Sequence, residues 1–386
     1  MLSMIGPFAI DSVFPAFARI GIQFGASDAA LQQITSIYLF SYAFASLFHG
    51  PISDAVGRKP VMIVGMSAFA LASIGCAFAP NLGLLLAFRA AQGVFAGAGQ
   101  IISRALIRDL YDGWQAQRVM AQVSMIFAIA PAIAPVVGGW LLTVGDWEII
   151  FTFLTAYTLL LLALITFGLP ESHPVEKRTP LRMGRLFFGM RQVAASGAFV
   201  RLAFASSLAF SAQFLYIVGA PIFVVRLLGL GERDFWIFFV PLITGMTLGS
   251  YLNARLAEWG HADKVASIGY GIMLAAMVLN VALAASPLAD RLPWPVIGPG
   301  LIAFGMSLAF PILQLTMLDL FPALRGTAAS LQAFTSLLLN ALLAGVVVPL
   351  VSSSIQTMAL ASGAFSIAGA GLWTWHVVAD RRRPTL

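Results

Sequence analysis

The sequence predicts an all-α membrane protein with twelve transmembrane helices in two pseudo-symmetric six-helix bundles. Composition is the first observation behind this prediction. Of the 386 residues, 60% are hydrophobic and 10% are charged, whereas a soluble domain carries about 25% charged residues. The second observation is a succession of apolar runs, each close to the roughly 20 residues that cross a bilayer. The third is a single long polar stretch near the middle of the chain.

The apolar runs fall into two sets of six. The first set is expected near residues 3–24, 32–52, 60–79, 82–104, 118–142 and 147–168, and the second near 200–225, 235–257, 265–285, 294–318, 326–350 and 353–378. Residues 1–169 are therefore predicted to form an N-terminal bundle and residues 199–386 a C-terminal bundle. Residues 170–198 are predicted to be a cytoplasmic basic linker.

Positive charge predicts the orientation of the spans. Of the 22 lysine and arginine residues, 17 fall on one side of the predicted spans, four on the other, and Arg89 inside a span. Cytoplasmic loops carry the excess of positive charge. The sequence therefore predicts a multi-pass protein of the bacterial inner membrane with both termini in the cytoplasm. Basic residues spread over short loops do not form the charged surface that binds nucleic acid.

Several classes of protein lack support in the sequence. The single cysteine, Cys76, lies in an apolar run, and the four histidines are scattered without the spacing of a metal site. No phosphate-binding loop of an ATP-driven pump is present in the sequence. We therefore expect no cofactor, no bound metal and no enzymatic activity.

Two ionised side chains fall inside predicted spans. Asp11 lies about 12 Å from the start of the first span, at 1.5 Å per helical residue, and Arg89 lies in the fourth. Ions inside the hydrocarbon are costly and usually mark a transport pathway. Asp11 can change its protonation state as its surroundings open to water, whereas Arg89 stays charged and needs a partner. Their depths in the membrane are similar, so an interaction between them is expected.

The segment after the second span contains Gly50, Asp54, Gly57, Arg58 and Lys59, and it is predicted to be a tight loop that ends at the start of the next helix. Gly57 permits an unhindered turn. A second acidic residue, Asp109 near the end of the fourth span, is a candidate partner for Arg58. The pattern Gly50-x-x-x-Asp54 returns as Gly249-x-x-x-Asn253 after the eighth span, which indicates an internal repeat.

Other polar and helix-bending residues lie within the spans. Pro131, Pro135, Gly138 and Gly139 predict a kinked and tightly packed fifth span. Together with Asp11, seven further side chains either line a substrate cavity or bond between helices. They are Gln92, Gln122, Gln213, Tyr216, Asn280, Gln314 and Asn340.

These motifs resemble known signatures. Residues 50–59 resemble the loop signature of the major facilitator superfamily, residues 89–93 its fourth-helix signature, and residues 134–139 its antiporter signature, with Ala134 where glycine is usual. Residues 9–16, 104–112, 249–255 and 326–330 are similar to the bicyclomycin/chloramphenicol-resistance (Bcr/CflA-type) drug:proton antiporters.

The resemblance implies proton-coupled export of lipophilic, often cationic compounds from the cytoplasm by alternating access. It also implies that Asp11 carries the proton or competes for a cationic substrate, and that Arg89 tunes it. Gly50, Asp54, Gly57, Arg58, Lys59 and Asp109 would gate the cytoplasmic side. The implied partners are a small molecule, protons and the lipid bilayer, and we expect a monomer. Two alternatives stay open, a transporter of one metabolite such as an amino acid or sugar, and a non-transporting membrane sensor or scaffold.

Overall fold

The structure, a computed structural model, describes residues 2–111, 113–178, 181–256 and 262–381. These residues are helical apart from short connections, so the all-helical prediction is confirmed. The chain divides into two compact units, Met1–Met183 (unit 1) and Gly184–Leu386 (unit 2).

The described part of unit 1 contains seven α-helices. They are α1 (Ile5–Asp11), α2 (Phe17–Phe24), α3 (Asp28–Val56), α4 (Arg58–Ala77), α5 (Leu82–Leu110), α6 (Gly113–Leu141) and α7 (Glu148–Ala163), and a π-helical turn, Leu164–Gly168, continues α7. Helix α5 packs between α3 and α4, and α1 packs against α6. Polar caps begin two of the long helices, because Ser27 Oγ accepts from Ala30 N and Asn81 Oδ1 accepts from Leu84 N.

The described α-helices of unit 2 number eight, and the first begins one residue before the unit boundary. They are α8 (Met183–Ala194), α9 (Gly197–Val218), α10 (Phe235–Leu256), α11 (Ala262–Ala284), α12 (Trp294–Asp319), α13 (Arg325–Leu342), α14 (Val348–Val351) and α15 (Ile355–Arg381). Helix α12 packs against α9, α10 and α11, and α15 packs against α9 and α11. The segment predicted to be a linker, residues 170–198, thus contains a helix, α8.

Ten helical segments of the described residues are long and apolar enough to cross a membrane. They include Leu2–Phe24, which combines α1 and α2, and Arg325–Val351, which combines α13 and α14. Helices α3 and α6 are not among the ten, although each has 29 residues. Glutamine, serine and tyrosine side chains lower the mean hydropathy of α3.

The first predicted span is interrupted rather than continuous. Helix α1 ends at Asp11, a single 3₁₀ turn follows at Phe14–Ala16, and α2 begins at Phe17. Pro15 explains the interruption, because proline has no N–H to donate to the carbonyl of Asp11 four residues earlier. Asp11 therefore lies at a break in the membrane-spanning segment.

The loop predicted over residues 50–60 is wrong. Helix α3 continues to Val56, and Gly57 alone separates it from α4, which begins at Arg58. Gly57 has φ of +113°, a conformation that other residues rarely adopt. The turn expected at Gly57 is confirmed, whereas Gly50 and Asp54 are helical.

Candidate functional site

Asp11 is buried in unit 1, with only 3% of its surface exposed. It makes no hydrogen bond or ion pair with any side chain or backbone group that the structure describes. Asp11 is the last residue of α1. Its backbone carbonyl receives no helical hydrogen bond from residue 15, because Pro15 has no N–H. A carboxyl group in such surroundings has nothing to stabilise its charge, so protonation or a bound cation would relieve the cost of burial.

The predicted tight packing of α6 occurs directly beside Asp11. Gly138 is buried, and a Cβ atom built on it would lie 2.1 Å from the carbonyl oxygen of Ser12. Ser12 itself is fully buried and donates its hydroxyl to Phe8 O. Because only glycine permits this approach, Gly138 holds α6 against the break in the first span. Pro135 is buried next to it, and Gly139 is buried as well.

Arg89, on α5, is fully buried and joins three helices. Its Nε donates to Ile34 O of α3 at 3.1 Å, and its Nη1 donates to Ala9 O of α1 at 2.9 Å and to Gln92 Oε1 at 2.8 Å. Nη2 has no hydrogen-bond partner among the described atoms. All three acceptors are neutral oxygens, so this guanidinium is a buried cation without a direct counter-charge.

Two residues that sequence reasoning missed complete this cluster. The ring of Tyr38 lies under the guanidinium, with Arg89 Cζ 4.5 Å from the ring centroid, a cation–π contact. Ser73 Oγ, on α4, accepts from Gln92 Nε2 at 2.7 Å. Gln92 is therefore fully buried and bonded inside unit 1, and its predicted contact with substrate stays a prediction. We call Tyr38, Ser73, Arg89 and Gln92 the arginine cluster.

Asp11 and Arg89 do not form a direct ion pair. The arginine contacts the backbone of α1 at Ala9, two residues before Asp11. Tyr38 is within electrostatic range of both the acid and the base, and its hydroxyl is buried without a hydrogen-bond partner among the described atoms. The structure thus brings together a carboxyl, a phenol and a guanidinium that carry unused hydrogen-bonding capacity.

A second set of charges lies at the junction of α3 and α4. Arg58 Nη1 pairs with Asp54 Oδ1 at 2.5 Å, and Arg58 Nε pairs with Asp109 Oδ2 at 3.0 Å. The pair expected between Arg58 and Asp109 is therefore present. Arg58 is 7% exposed and also donates to Ser53 Oγ. These contacts connect the ends of α3, α4 and α5.

Glu171 organises the same junction and was not predicted. Its Oε1 accepts from Arg58 N at 3.1 Å and from His173 N at 2.8 Å, and its Oε2 accepts from Lys59 N at 3.2 Å. The carboxylate therefore caps the amino end of α4, where negative charge is favoured. The next residue, Ser172, donates to Asp109 Oδ2 at 3.0 Å. Only the acidic residue after Pro170 hinted at this role in the sequence.

Most of the residues of unit 2 that were predicted to line a cavity are buried, and one is half-buried. Asn280 Nδ2 donates to Tyr216 Oη at 2.8 Å, and both residues are buried. Gln213 is fully buried, donates to Met246 Sδ and leaves its Oε1 without a partner in the described part of the chain. Asn340 is buried, and Gln314 is half-buried. In unit 1, Gln122 is exposed.

A polar seam between α9 and α13 was also missed. Gln332 Nε2 donates to Ser206 Oγ at 2.9 Å and to Ser336 Oγ at 3.1 Å, and Ser336 bonds Ser207 at 2.8 Å. All of these groups are neutral. Elsewhere in unit 2, Asp319, which had no role in the sequence interpretation, pairs with Arg325 at 3.1 Å on the surface.

Comparison with known proteins identifies the family. The sequence profile described as Major Facilitator Superfamily matches residues 1–344. This chain belongs to the Major Facilitator Superfamily. It is therefore a multi-pass membrane transporter and not an enzyme.

Individual relatives agree with this membership. The chain is 28% identical to the bicyclomycin resistance protein homolog of Haemophilus influenzae, over 94% of this chain and 91% of that protein. It is 30% identical to multidrug resistance protein D of Escherichia coli, over 86% and 82%. Its fold is similar to that of a bacterial homolog of the human lysosomal transporter Spinster, with a TM-score of 0.73 and 16% identity, over 98% and 96% of the two chains.

Proposed function

We propose that this chain is a secondary active transporter that exports lipophilic, often cationic, drugs or toxic small molecules from the cytoplasm in exchange for protons. Its similarity to a bicyclomycin resistance protein homolog and to multidrug resistance protein D supports the substrate class. In the proposed cycle, a site opens alternately to either side of the inner membrane, as in other transporters built from repeats.

The proposed architecture has twelve spans in two pseudo-symmetric bundles. Ten candidate spans come from length and hydropathy. Helices α3 and α6 supply the other two, because 29 residues extend about 44 Å at 1.5 Å per residue, more than the roughly 30 Å of a hydrocarbon core. The uneven distribution of lysine and arginine supports cytoplasmic termini. We propose a monomer.

The observation that carries the proposal is the buried and unpaired carboxyl of Asp11. A proton or a cationic substrate would each remove its burial cost, and the two would compete for one group. Binding of the substrate would displace the proton, and release of the substrate would allow protonation from the other side. This exchange requires no ATP, because the proton gradient supplies the free energy.

Arg89 would set how strongly Asp11 holds its proton. The guanidinium is fixed by Ala9 O and Ile34 O, so its position depends on the packing of α1, α3 and α5. A movement of α1 would change the distance between the two charges, both of which act on Tyr38. Conformational change and protonation would then be coupled through the arginine cluster.

The charges around Arg58 would form the cytoplasmic gate, with Gly50, Asp54, Gly57, Lys59 and Asp109. Asp54 is 44% exposed, so its pair with Arg58 suits a contact that must break in each cycle, because exposed ion pairs are worth only about 0–1 kcal/mol. Pro131, Pro135, Gly138 and Gly139 would keep α6 tightly packed beside Asp11. The other candidate residues would contact the substrate.

The test uses the full chain in inverted membrane vesicles with an acidic lumen, so that the imposed proton gradient is directed out of the vesicles. A panel of lipophilic cations and neutral drugs is added, and proton release from the vesicle lumen is followed with a pH-sensitive dye. We expect release evoked by at least one lipophilic cation, and better growth of an efflux-deficient strain in that compound. Proton release evoked only by amino acids or sugars would contradict drug export, and no coupled proton movement with any compound that is transported would contradict antiport.

A further inference from the structure

A shallow groove on unit 1 has no ligand in the proposed transport cycle, although Lys59 of the proposed gate forms part of its wall. It has a volume of about 510 Å³ and lies between the first turns of α4 and the segment after α7. Its walls are formed by Lys59, Pro60, Ile63, Val64, Glu171 and Arg178. Basic side chains therefore meet apolar side chains in one concave surface.

The walls of the groove carry one more positive than negative charge. Glu171 accepts two backbone N–H groups at the start of α4 and a third from His173, so its carboxylate is already engaged by backbone donors. Lys59 has no carboxylate within 4.0 Å among the described residues. The guanidinium of Arg178 makes one long contact there, from Nε to His173 O at 3.5 Å. Lys59 and Arg178 thus bring two cations to the edge of the groove, and Glu171 brings one carboxylate.

The position of the groove along α4 places it at a membrane surface. Lys59 is the second residue of α4, which is one of the candidate spans, so its ammonium lies where lipid headgroups lie. Val64 is 65% exposed and lies about 7 Å deeper, at 1.5 Å per residue. The groove therefore offers cations at headgroup depth and an apolar wall at the depth of the acyl chains.

We infer that this groove binds an anionic glycerophospholipid. The phosphate would accept hydrogen bonds from Lys59 and Arg178, and an acyl chain would lie along Ile63 and Val64. Basic pockets at membrane surfaces bind such headgroups. A free inorganic anion satisfies the two cations but leaves the apolar wall uncovered, so the shape favours the lipid. Since Glu171 and Lys59 also belong to the α3–α4 junction, a bound lipid would brace that junction.

The experiment measures lipid retention by native mass spectrometry of the purified full-length protein. The probes are phosphatidylglycerol, phosphatidylcholine and inorganic phosphate. The test variant is Lys59→Gln with Arg178→Gln. The matched control is Arg185→Gln with Lys264→Gln, which removes the same charge from basic residues outside the groove. A charge-conserving variant, Lys59→Arg with Arg178→Lys, checks that the loss is not caused by altered packing.

We expect the parent, the control and the charge-conserving variant each to retain one phosphatidylglycerol molecule. The test variant should bind this lipid at least tenfold more weakly. Phosphatidylcholine should be retained less than phosphatidylglycerol by the parent. Equal retention of phosphatidylglycerol by the parent and the test variant would overturn the inference. Displacement of the lipid by inorganic phosphate at equal concentration would also overturn it, because the site would then be one for free anions. Neither result depends on transport activity.

Discussion

The two units bury polar side chains in different ways. Among its described residues, unit 1 buries three charged side chains, Asp11, Arg58 and Arg89. The described part of unit 2 buries no aspartate, glutamate, lysine or arginine side chain, and its interior polar groups include Gln213 and Gln332. Both units form packed helical bundles, so the fold itself does not require buried charge. The difference supports the proposal that the charges of unit 1 serve transport.

In both units the first membrane helix is interrupted near a proline. In unit 1 the first span breaks between Asp11 and Phe17, around Pro15. In unit 2, helix α9 ends at Val218, and a π-helical turn, Pro221–Leu227, follows it. The first membrane helix of each unit is thus interrupted next to a proline, but only the break in unit 1 has an acid beside it.

The internal repeat shows the contrast at a second place. Asp54 of unit 1 pairs with Arg58, whereas its counterpart Asn253 donates Nδ2 to Leu308 O at 2.7 Å. Both contacts lie near the end of the second long helix of their unit. The contact in unit 1 is an ion pair, and the contact in unit 2 is a neutral hydrogen bond. The two repeats therefore share a contact at the end of a helix but differ in its chemistry.

The largest expected loss of stability comes from substitutions at the close helix contacts that both units contain. A Cβ atom on Gly93 would lie 2.2 Å from Tyr38 O, and one on Gly245 would lie 2.0 Å from Gly300 O. Gly93→Val and Gly245→Val should therefore each separate a helix pair and destabilise the protein by about 3 kcal/mol. Thermal unfolding of the purified protein in detergent measures the loss.

Gly271→Ala is the control, because nothing lies within 4 Å of its added Cβ atom; it should leave stability unchanged or slightly raise it. A large loss from Gly93→Val together with no loss from Gly245→Val would break the view that close helix packing is common to both units.

Exchanging the side chains of the two repeat positions, Asp54→Asn in unit 1 and Asn253→Asp in unit 2, should lower the stability of the protein by unequal amounts. Asn253→Asp removes the amide donor to Leu308 O and places two acceptors together, which should cost about 1–3 kcal/mol. Asp54→Asn removes one ion pair of a side chain that is 44% exposed, and should cost about 0–1 kcal/mol. Equal losses of thermal stability from the two isosteric exchanges would contradict the contrast between the repeats.

The smallest expected effect concerns the cap of α4. Glu171→Ala leaves the N–H groups of Arg58 and Lys59 without their acceptor, and should cost about 1 kcal/mol, the usual value for a helix cap. Glu176→Ala, in the same segment but exposed, should leave the unfolding temperature unchanged. An equal change of the unfolding temperature in the two variants would contradict the stabilising role of Glu171 at the α3–α4 junction.

Much of the fold was predictable, because hydropathy alone sets where a membrane helix forms. The predicted spans overlap the observed helices, but their ends differ. Helix α3 begins at Asp28 and continues to Val56, whereas the predicted span is 32–52, and the helix includes Gly50 and Pro51, which disfavour a helix interior. In a long helix packed against α5, tertiary contacts override that local preference.

The candidate site was predictable as single residues and as one pair, Arg58 with Asp109. Asp11 and Arg89 were evident because ions inside an apolar run are rare. Tyr38 and Ser73 were not, because their roles depend on which faces of α3 and α4 meet α5. The cap by Glu171 joins backbone groups 113 residues away in the chain, and no local pattern encodes such a contact.

The measurement that tests the central claim most directly is proton release by Asp11→Asn in inverted vesicles. The change is isosteric and removes only the titratable group. Asp146→Asn is the matched control, because its side chain is 61% exposed and pairs with Arg19 at 3.7 Å. With vesicles that contain equal amounts of protein, we predict that Asp146→Asn retains substrate-evoked proton release and that Asp11→Asn loses it. Full coupled release by Asp11→Asn would contradict the claim that the buried acid of unit 1 carries the exchange.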